Sequence, residues 1–256
     1  MNEIVVNVYG ENTIVEAGTT LLELSKQYQD HERYDIVLAF VDGKLCELFK
    51  DIDRSCTVDF VTTNSVIGNA TYKRSTSFLM IKAFKDVFGK ENVKKIKVMY
   101  SISKGYYCEA EGDNIVISQA NMNLVKQRMM ELVDANLPIE KETLNTDKVI
   151  DMFMEQGMED KARLFKYRRV SKANIYSIGD YKDYYYGYMV ASTGYLRFFD
   201  IVQYGEGFVI QMPTAAMPNV IPAFDPQVKL FNVLKQSDEW GRKLEVDTVG
   251  ALNDVI

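Results

Sequence analysis

Residues 180–194 read D-Y-K-D-Y-Y-Y-G-Y-M-V-A-S-T-G, with tyrosines at 181, 184, 185, 186 and 188 ahead of the turn formers Ser192, Thr193 and Gly194. Each tyrosine ring buries a large apolar face and keeps a polar tip. Such a run packs a core or an interface, or lines a site. A second stretch, R-S-T-S-F-L-M at 74–80, opens a helix whose buried side is Phe78, Leu79, Ile81, Ala83, Phe84 and Val87.

Together the two stretches resemble the zinc-bearing second N-terminal domain of bacterial threonyl-tRNA synthetases, shared with the editing domains of alanyl-tRNA synthetases. That family carries an H-S-T-A-H-L-L helix start and a D-L-C-R-G-P-H-V-x-S-T-G loop. Asp183, Gly187, Val190, Ser192, Thr193 and Gly194 keep the frame of the loop. The metal-binding positions fall on Arg74, Phe78, Tyr185 and Met189. Zinc takes thiolate, imidazole or carboxylate, so the resemblance implies an editing fold that has lost its editing chemistry. In the degenerate pocket, Arg74, Tyr185 and the nearby Lys73 offer a cation and a phenol to a small anion or nucleotide. The alternative is a solvated or ion-paired Arg74, with Phe78 and Met189 filling the old cavity, because an unliganded polar pocket is costly to bury.

Upstream, β-branched runs at 4–8 and 14–17 predict two strands, and Leu21, Leu22, Leu24 and Tyr28 one face of a helix capped by Thr19 or Thr20. Strands at 36–41, 44–49 and 57–62 follow, with Asp42-Gly43 as a hairpin turn. This order predicts a β-grasp over residues 1–63. V-D-G-K-L-C-E-L at 41–48 and D-R-S-C-T-V-D-F-V-T at 53–62 resemble the TGS module, which implies a non-catalytic unit contacting RNA or ligands, or a folding unit without a ligand. Residues 63–71 read as a polar linker.

A second α+β domain is expected over 70–212. Its elements are strands at 95–102, 106–111 and 115–117, a helix from Ser118 to Asn136, a strand within L-P-I-E-K-E-T-L, helices at 149–156 and 159–165, and strands at 195–204 and 208–212. Lys104-Gly105-Tyr106-Tyr107 resembles the family's G-F-Y-Y-D-F turn. Residues 213–256 form the third part. Four of the 5 prolines, at 213, 218, 222 and 226, predict an extended connector. An amphipathic helix carrying Val228, Leu230, Phe231, Leu234 and Trp240 follows, then another from Asp247 or Thr248. That last pattern breaks off in mid-helix, which suggests a fragment of a longer chain. Residues 229–253 resemble a linker in bacterial uridine-kinase-like nucleoside kinases. This implies a parent enzyme that transfers phosphate from ATP with Mg²⁺, with the kinase domain outside this sequence. Neither Gly43-Lys44 nor Gly89-Lys90 forms a P-loop, and Gly205-x-Gly207 lacks the third glycine of a dinucleotide fingerprint.

A net charge of −6 argues against broad charge-driven nucleic-acid binding but leaves room for a local basic patch. A single histidine, His31 in a polar loop, rules out multi-histidine metal sites. The 3 cysteines are far apart, which fits a reduced, cytoplasmic setting without a disulfide framework. No signal peptide and no membrane-spanning run is read. The first expectation is therefore a non-catalytic accessory region of a nucleoside kinase, partnered by the missing kinase domain, with no catalytic residue, cofactor or metal of its own. The alternative is an RNA-binding module for a tRNA acceptor end, in which Lys94, Lys95 and Lys97, or Lys166, Arg168, Arg169 and Lys172, meet phosphates while tyrosines stack on bases. A working editing hydrolase would need a metal-activated water that these residues cannot hold. Exposed apolar surface on the C-terminal helices could drive homodimerisation.

Overall fold

The computed structural model describes residues 3–244, 246, 249, 252 and 253. The chain begins with β1 (Glu3–Val8), β2 (Glu11–Glu16), the short β3 (Thr19–Thr20), α1 (Leu21–Tyr28), β4 (Ile36–Val41), β5 (Lys44–Glu47), β6 (Asp51–Ile52) and β7 (Cys56–Thr62). Five of these strands make a sheet in the order β2-β1-β7-β4-β5, in which only β1 and β7 run parallel. β3 pairs with β6 apart from it. Two-residue turns fix the hairpins. Tyr9-Gly10 and Asp42-Gly43 both take positive φ, the conformation that suits the right-handed twist of the flanking strands. Thr20 and Glu23 close α1 with a capping box, and Leu21 and Leu24 bury against Val6, Val8, Ile36 and Val58. This is the expected β-grasp arrangement.

Next comes α2 (Val66–Phe88). The expected linker at 63–71 is thus mostly helix. Ser65 is the N-cap and accepts the Gly68 N–H at 2.9 Å. The polar residues that suggest a linker point inward: Asn69 and Thr71 are buried, and Asn69 donates to the Pro213 carbonyl at 3.1 Å. Satisfied buried polar groups are compatible with a helix interior.

The chain continues through β8 (Val93–Ile102), β9 (Gly105–Gly112), α3 (Gln119–Asp134), β10 (Glu140–Asn145), α4 (Thr146–Glu155), α5 (Glu159–Tyr167), β11 (Lys172–Ile178), β12 (Tyr181–Tyr184), β13 (Asp200–Tyr204), β14 (Gly207–Gln211) and α6 (Val228–Lys243). One antiparallel sheet has the order β13-β14-β9-β8 and another β10-β11-β12. Phe84 of α2 stacks on Phe208 of β14 at 4.8 Å, within a core that also takes Met122, Val125 and Met129 from α3. The fold is α+β throughout.

Two expected strands differ. Residues 115–117 are irregular, Asn114 has φ +61°, and the Val116 carbonyl accepts from the Asn121 side chain at 2.8 Å. The strand expected from Tyr195 starts only at Asp200. Residues 193–195 form a 3₁₀ turn, and the Tyr72 hydroxyl engages both the N–H and the carbonyl of Phe198. The proline-rich connector, expected to be extended, first turns at Thr214–Met217 and Met217–Val220 and then runs irregularly to α6, where Phe231 docks at 5.0 Å on Tyr107 and 4.5 Å on Tyr204. The helix expected from Asp247 or Thr248 falls largely outside the described residues. Among the described residues no helix is long and apolar enough to cross a membrane.

Candidate functional site

The 74–80 stretch, expected to open a helix, lies in the middle of α2, which begins at Val66, and it meets the 185–190 loop after β12 at one corner. The Arg74 side chain donates to the Tyr188 carbonyl at 2.7 Å. Its guanidinium lies against Gly187, where a Cβ would stand 2.6 Å from Cζ and where φ is +116°. Burial lowers the Arg74 pKa. Ser75 Oγ accepts the Val190 N–H at 3.1 Å and lies 3.3 Å from Met189 Sδ. Phe78 is fully buried, with the rings of Tyr181 and Tyr185 at 5.3 and 5.2 Å. The Tyr185 hydroxyl is held neutral far above its ordinary range, by burial first and then by Asp183 and Cys108. Met189 is fully buried. Phe78 and Met189 therefore fill the corner, and Arg74 is spent on the backbone of the loop. Lys73 stands apart. Burial and Lys104 lower its pKa, and it has no ion-pair partner among the described residues.

These residues do not fit zinc. The four positions that the resemblance implies as ligands carry a guanidinium, a phenyl ring, a phenol and a thioether, not the imidazole, thiolate or carboxylate donors that the metal needs. Among the described residues no three of His, Cys, Asp and Glu stand where they could share a metal ion. Asp183, which matches the loop frame, is 1% exposed and paired with Lys161 Nζ at 2.6 Å, and Tyr181 OH donates to it at 3.0 Å.

What holds the loop comes from the other end of the chain. Glu47, at the end of β5, is 4% exposed. Its carboxylate accepts from Tyr176 OH at 2.5 Å, Lys141 Nζ at 2.7 Å and the Met189 N–H at 3.3 Å. Tyr176 OH also lies 2.8 Å from the Gly187 carbonyl. It has one hydrogen, and the carboxylate is the stronger acceptor. Burial, then Glu47, pushes the Tyr176 phenol far above its usual range.

Beside this network opens a cleft of about 770 Å³, between the β5–β6 segment and the sheet of β10, β11 and β12. Lys44, Lys50, Lys141, Arg168 and Lys172 line it against two carboxylates, Glu47 and Asp51. Among the described residues Lys44, Lys50 and Lys172 make no ion pair. Arg168 lies 4.9 Å from the Tyr184 ring centre and donates to its hydroxyl. Tyr184, Tyr186 and Tyr188 supply aromatic walls, and Tyr186 is 84% exposed. Of the basic residues read in the sequence, Arg168 and Lys172 reach the cleft, whereas Lys166 and Arg169 do not line it. Lys94, Lys95 and Lys97 are engaged by Asp113, Asp160 and Glu111. Sequence reasoning missed Glu47, Lys44, Lys50, Lys141 and Tyr176. The only signal for Glu47 was a charged residue after the apolar pair Leu45-Cys46 of the hairpin.

No protein-family model matches the chain. Among curated proteins it is 25% identical over 193 residues to a threonine–tRNA ligase of Thermotoga neapolitana, covering 75% of this chain and 29% of the relative. The threonine–tRNA ligase of Halorhodospira halophila is 29% identical over 170 residues, covering 66% and 26%. That of Geobacter sp. (strain M21) is 26% identical over 202 residues, covering 78% and 31%. The chain thus spans less than a third of the length of these relatives. They lend no support to a nucleoside-kinase parent; what they support is a threonyl-tRNA-synthetase-like segment.

Proposed function

We propose that this chain is an RNA-binding module related to threonyl-tRNA synthetases, which holds the single-stranded acceptor end of a tRNA in the cleft without hydrolysing it. The observation that carries this reading is the set of four cations around the tyrosines, Lys44, Lys50, Arg168 and Lys172, in a chain of net charge −6. Backbone phosphates need cations and unstacked bases need flat rings, and a groove offering both suits a single strand. The similarity to threonine–tRNA ligases agrees with a tRNA partner. The donor set at the corner supports the part of the reading that leaves out editing. A kinase parent, with its ATP and Mg²⁺, rests on the resemblance of residues 229–253 alone.

Fluorescence anisotropy tests the reading with an acceptor-stem minihelix bearing a 3′ single-stranded ACCA and with the same stem blunt-ended. If all four cations meet phosphates, log Kd rises with log salt with a slope of about 3, from ~0.7 per contact on single strands. Lys172→Glu lowers that slope. Equal affinity for both stems, or binding insensitive to salt, overturns the proposal.

A further inference from the structure

A second cavity, of about 300 Å³, lies away from the cleft, between α2, β8, α5 and α6. Its walls are apolar over much of their area: Ile81, Ile96, Val98, Met99, Met158 and the ring of Tyr181. Cations gather at its polar side, but nearly all are engaged. Lys94 pairs with Asp113, Lys95 with Asp160, and Lys97 with Glu111. Lys161 pairs with Asp183, and Arg242 with both Asp238 and Glu109.

Lys85 is the exception. Its ammonium lies 4.9 Å from the centre of the Tyr181 ring, and among the described residues no carboxylate comes within ion-pair distance of it. It is half-buried, and burial lowers its pKa, with Asp183 opposing and Lys161 and Lys90 adding to the effect. A desolvated cation facing an apolar cavity is poorly served by a ring face alone, and an anion placed there would restore the lost solvation. One uncompensated charge matches a monoanion. A phosphate monoester brings about two charges near neutral pH and finds no second unpaired cation. The volume sits at the small end of ligand pockets.

We infer that this cavity is a binding site for a small carboxylate with an apolar or aromatic body, its carboxylate on Lys85 and its body against Ile81, Val98 and Met158. The site is separate from the cleft and does not depend on RNA binding there. Asp238 and Arg242 of α6 form one wall, so the helix that follows the proline-rich connector completes the site.

The test uses the full chain and three probes: phenylacetate, its neutral isostere 2-phenylacetamide, and phenyl phosphate. Binding is followed by chemical-shift perturbation and isothermal titration at low salt. Phenylacetate is expected to shift resonances of residues 81–99, 158–161 and 181, and to bind about 10-fold or more tighter than the amide or the phosphate. Lys85→Met removes that preference. Val98→Trp at a surface-accessible wall position blocks all three probes and gives a second variant should Lys85→Met misfold. Equal binding of acid and amide, retention of phenylacetate affinity in folded Lys85→Met, or no perturbation of these residues by about 10 mM phenylacetate overturns the inference.

Discussion

Removing the Glu47 carboxylate tests how the two ends of the chain are joined. Glu47→Ala takes the shared acceptor from three donors at once. The Tyr176 hydroxyl loses a charge-assisted bond of about 1.5–3 kcal/mol and turns to the Gly187 carbonyl 2.8 Å away, a neutral bond that recovers about 1 kcal/mol. The Lys141 side chain is 22% exposed, so water recovers part of its loss, leaving about 1 kcal/mol. The Met189 N–H bond, at 3.3 Å, is long and adds the least. The sum, about 2–4 kcal/mol, reaches the lower part of what breaking a buried ion pair from one side costs. Glu47→Gln keeps the shape and one acceptor and costs about 2 kcal/mol, the difference between a charged and a neutral bond at Tyr176 plus the lost pair. Urea unfolding read by far-UV circular dichroism gives the total, and amide exchange at Met189 and Val190 gives the local share. In a cycle with Lys141→Met, Glu47→Gln shows a coupling of about 1 kcal/mol. If Glu47→Ala stays within about 0.5 kcal/mol of the parent, as an unremarkable surface change does, or leaves exchange at 189 unchanged, Glu47 does not hold the loop.

Gly187→Ala combines a positive φ with a Cβ 2.6 Å from the Arg74 guanidinium carbon, so it costs about 1–3 kcal/mol and speeds amide exchange across 187–190; an unchanged exchange rate there refutes the contact. Cys56 is half-buried, whereas Cys46 and Cys108 are buried. Iodoacetamide therefore labels Cys56 first, with a rate that rises with pH as the thiolate forms and does so at higher pH than for a free thiol because burial and Asp42 raise its pKa, and Cys108 reacts only on unfolding, as peptide mass spectrometry will show. For Asp160, burial is the largest single influence and opposes ionisation, but the bond and charge of Lys95 together with the Lys161 N–H and charge outweigh it and set the folded pKa below the ordinary 3.8. Its stabilising share is complete above that value and is lost as pH falls through the lowered one. Asp160→Asn is accordingly destabilising near neutral pH, and its penalty shrinks as the pH falls below 3.8 through the lowered pKa, read as the difference in urea midpoint.

The N-terminal β-grasp was readable in the sequence because local signals decide it. Asp42-Gly43 dictates a turn, Thr20 with Glu23 dictates a helix start, and alternation dictates which strand face is buried. The 66–71 turn of α2 was not readable, since its polar residues signal solvent unless one knows that the Pro213 carbonyl waits for Asn69 from 144 residues away. The metal corner was half readable. The loss of zinc donors is a statement about residue types and needs no coordinates. What replaced them is not such a statement. Arg74, where the resemblance implies a histidine, grasps the Tyr188 carbonyl, and a carboxylate from β5 takes the Met189 N–H. A metal ion ties helix and loop with short, strong bonds and demands donors at fixed spacing in both, which is why its motif can be recognised. A network of hydrogen bonds imposes no spacing, and its key member can come from any part of the chain that the fold brings near. Glu47 satisfies that condition only because β5 lies beside β11 and the loop in space. The same placement forms one wall of the cationic cleft, so the residue that fastens the loop also sets where the proposed RNA end would lie.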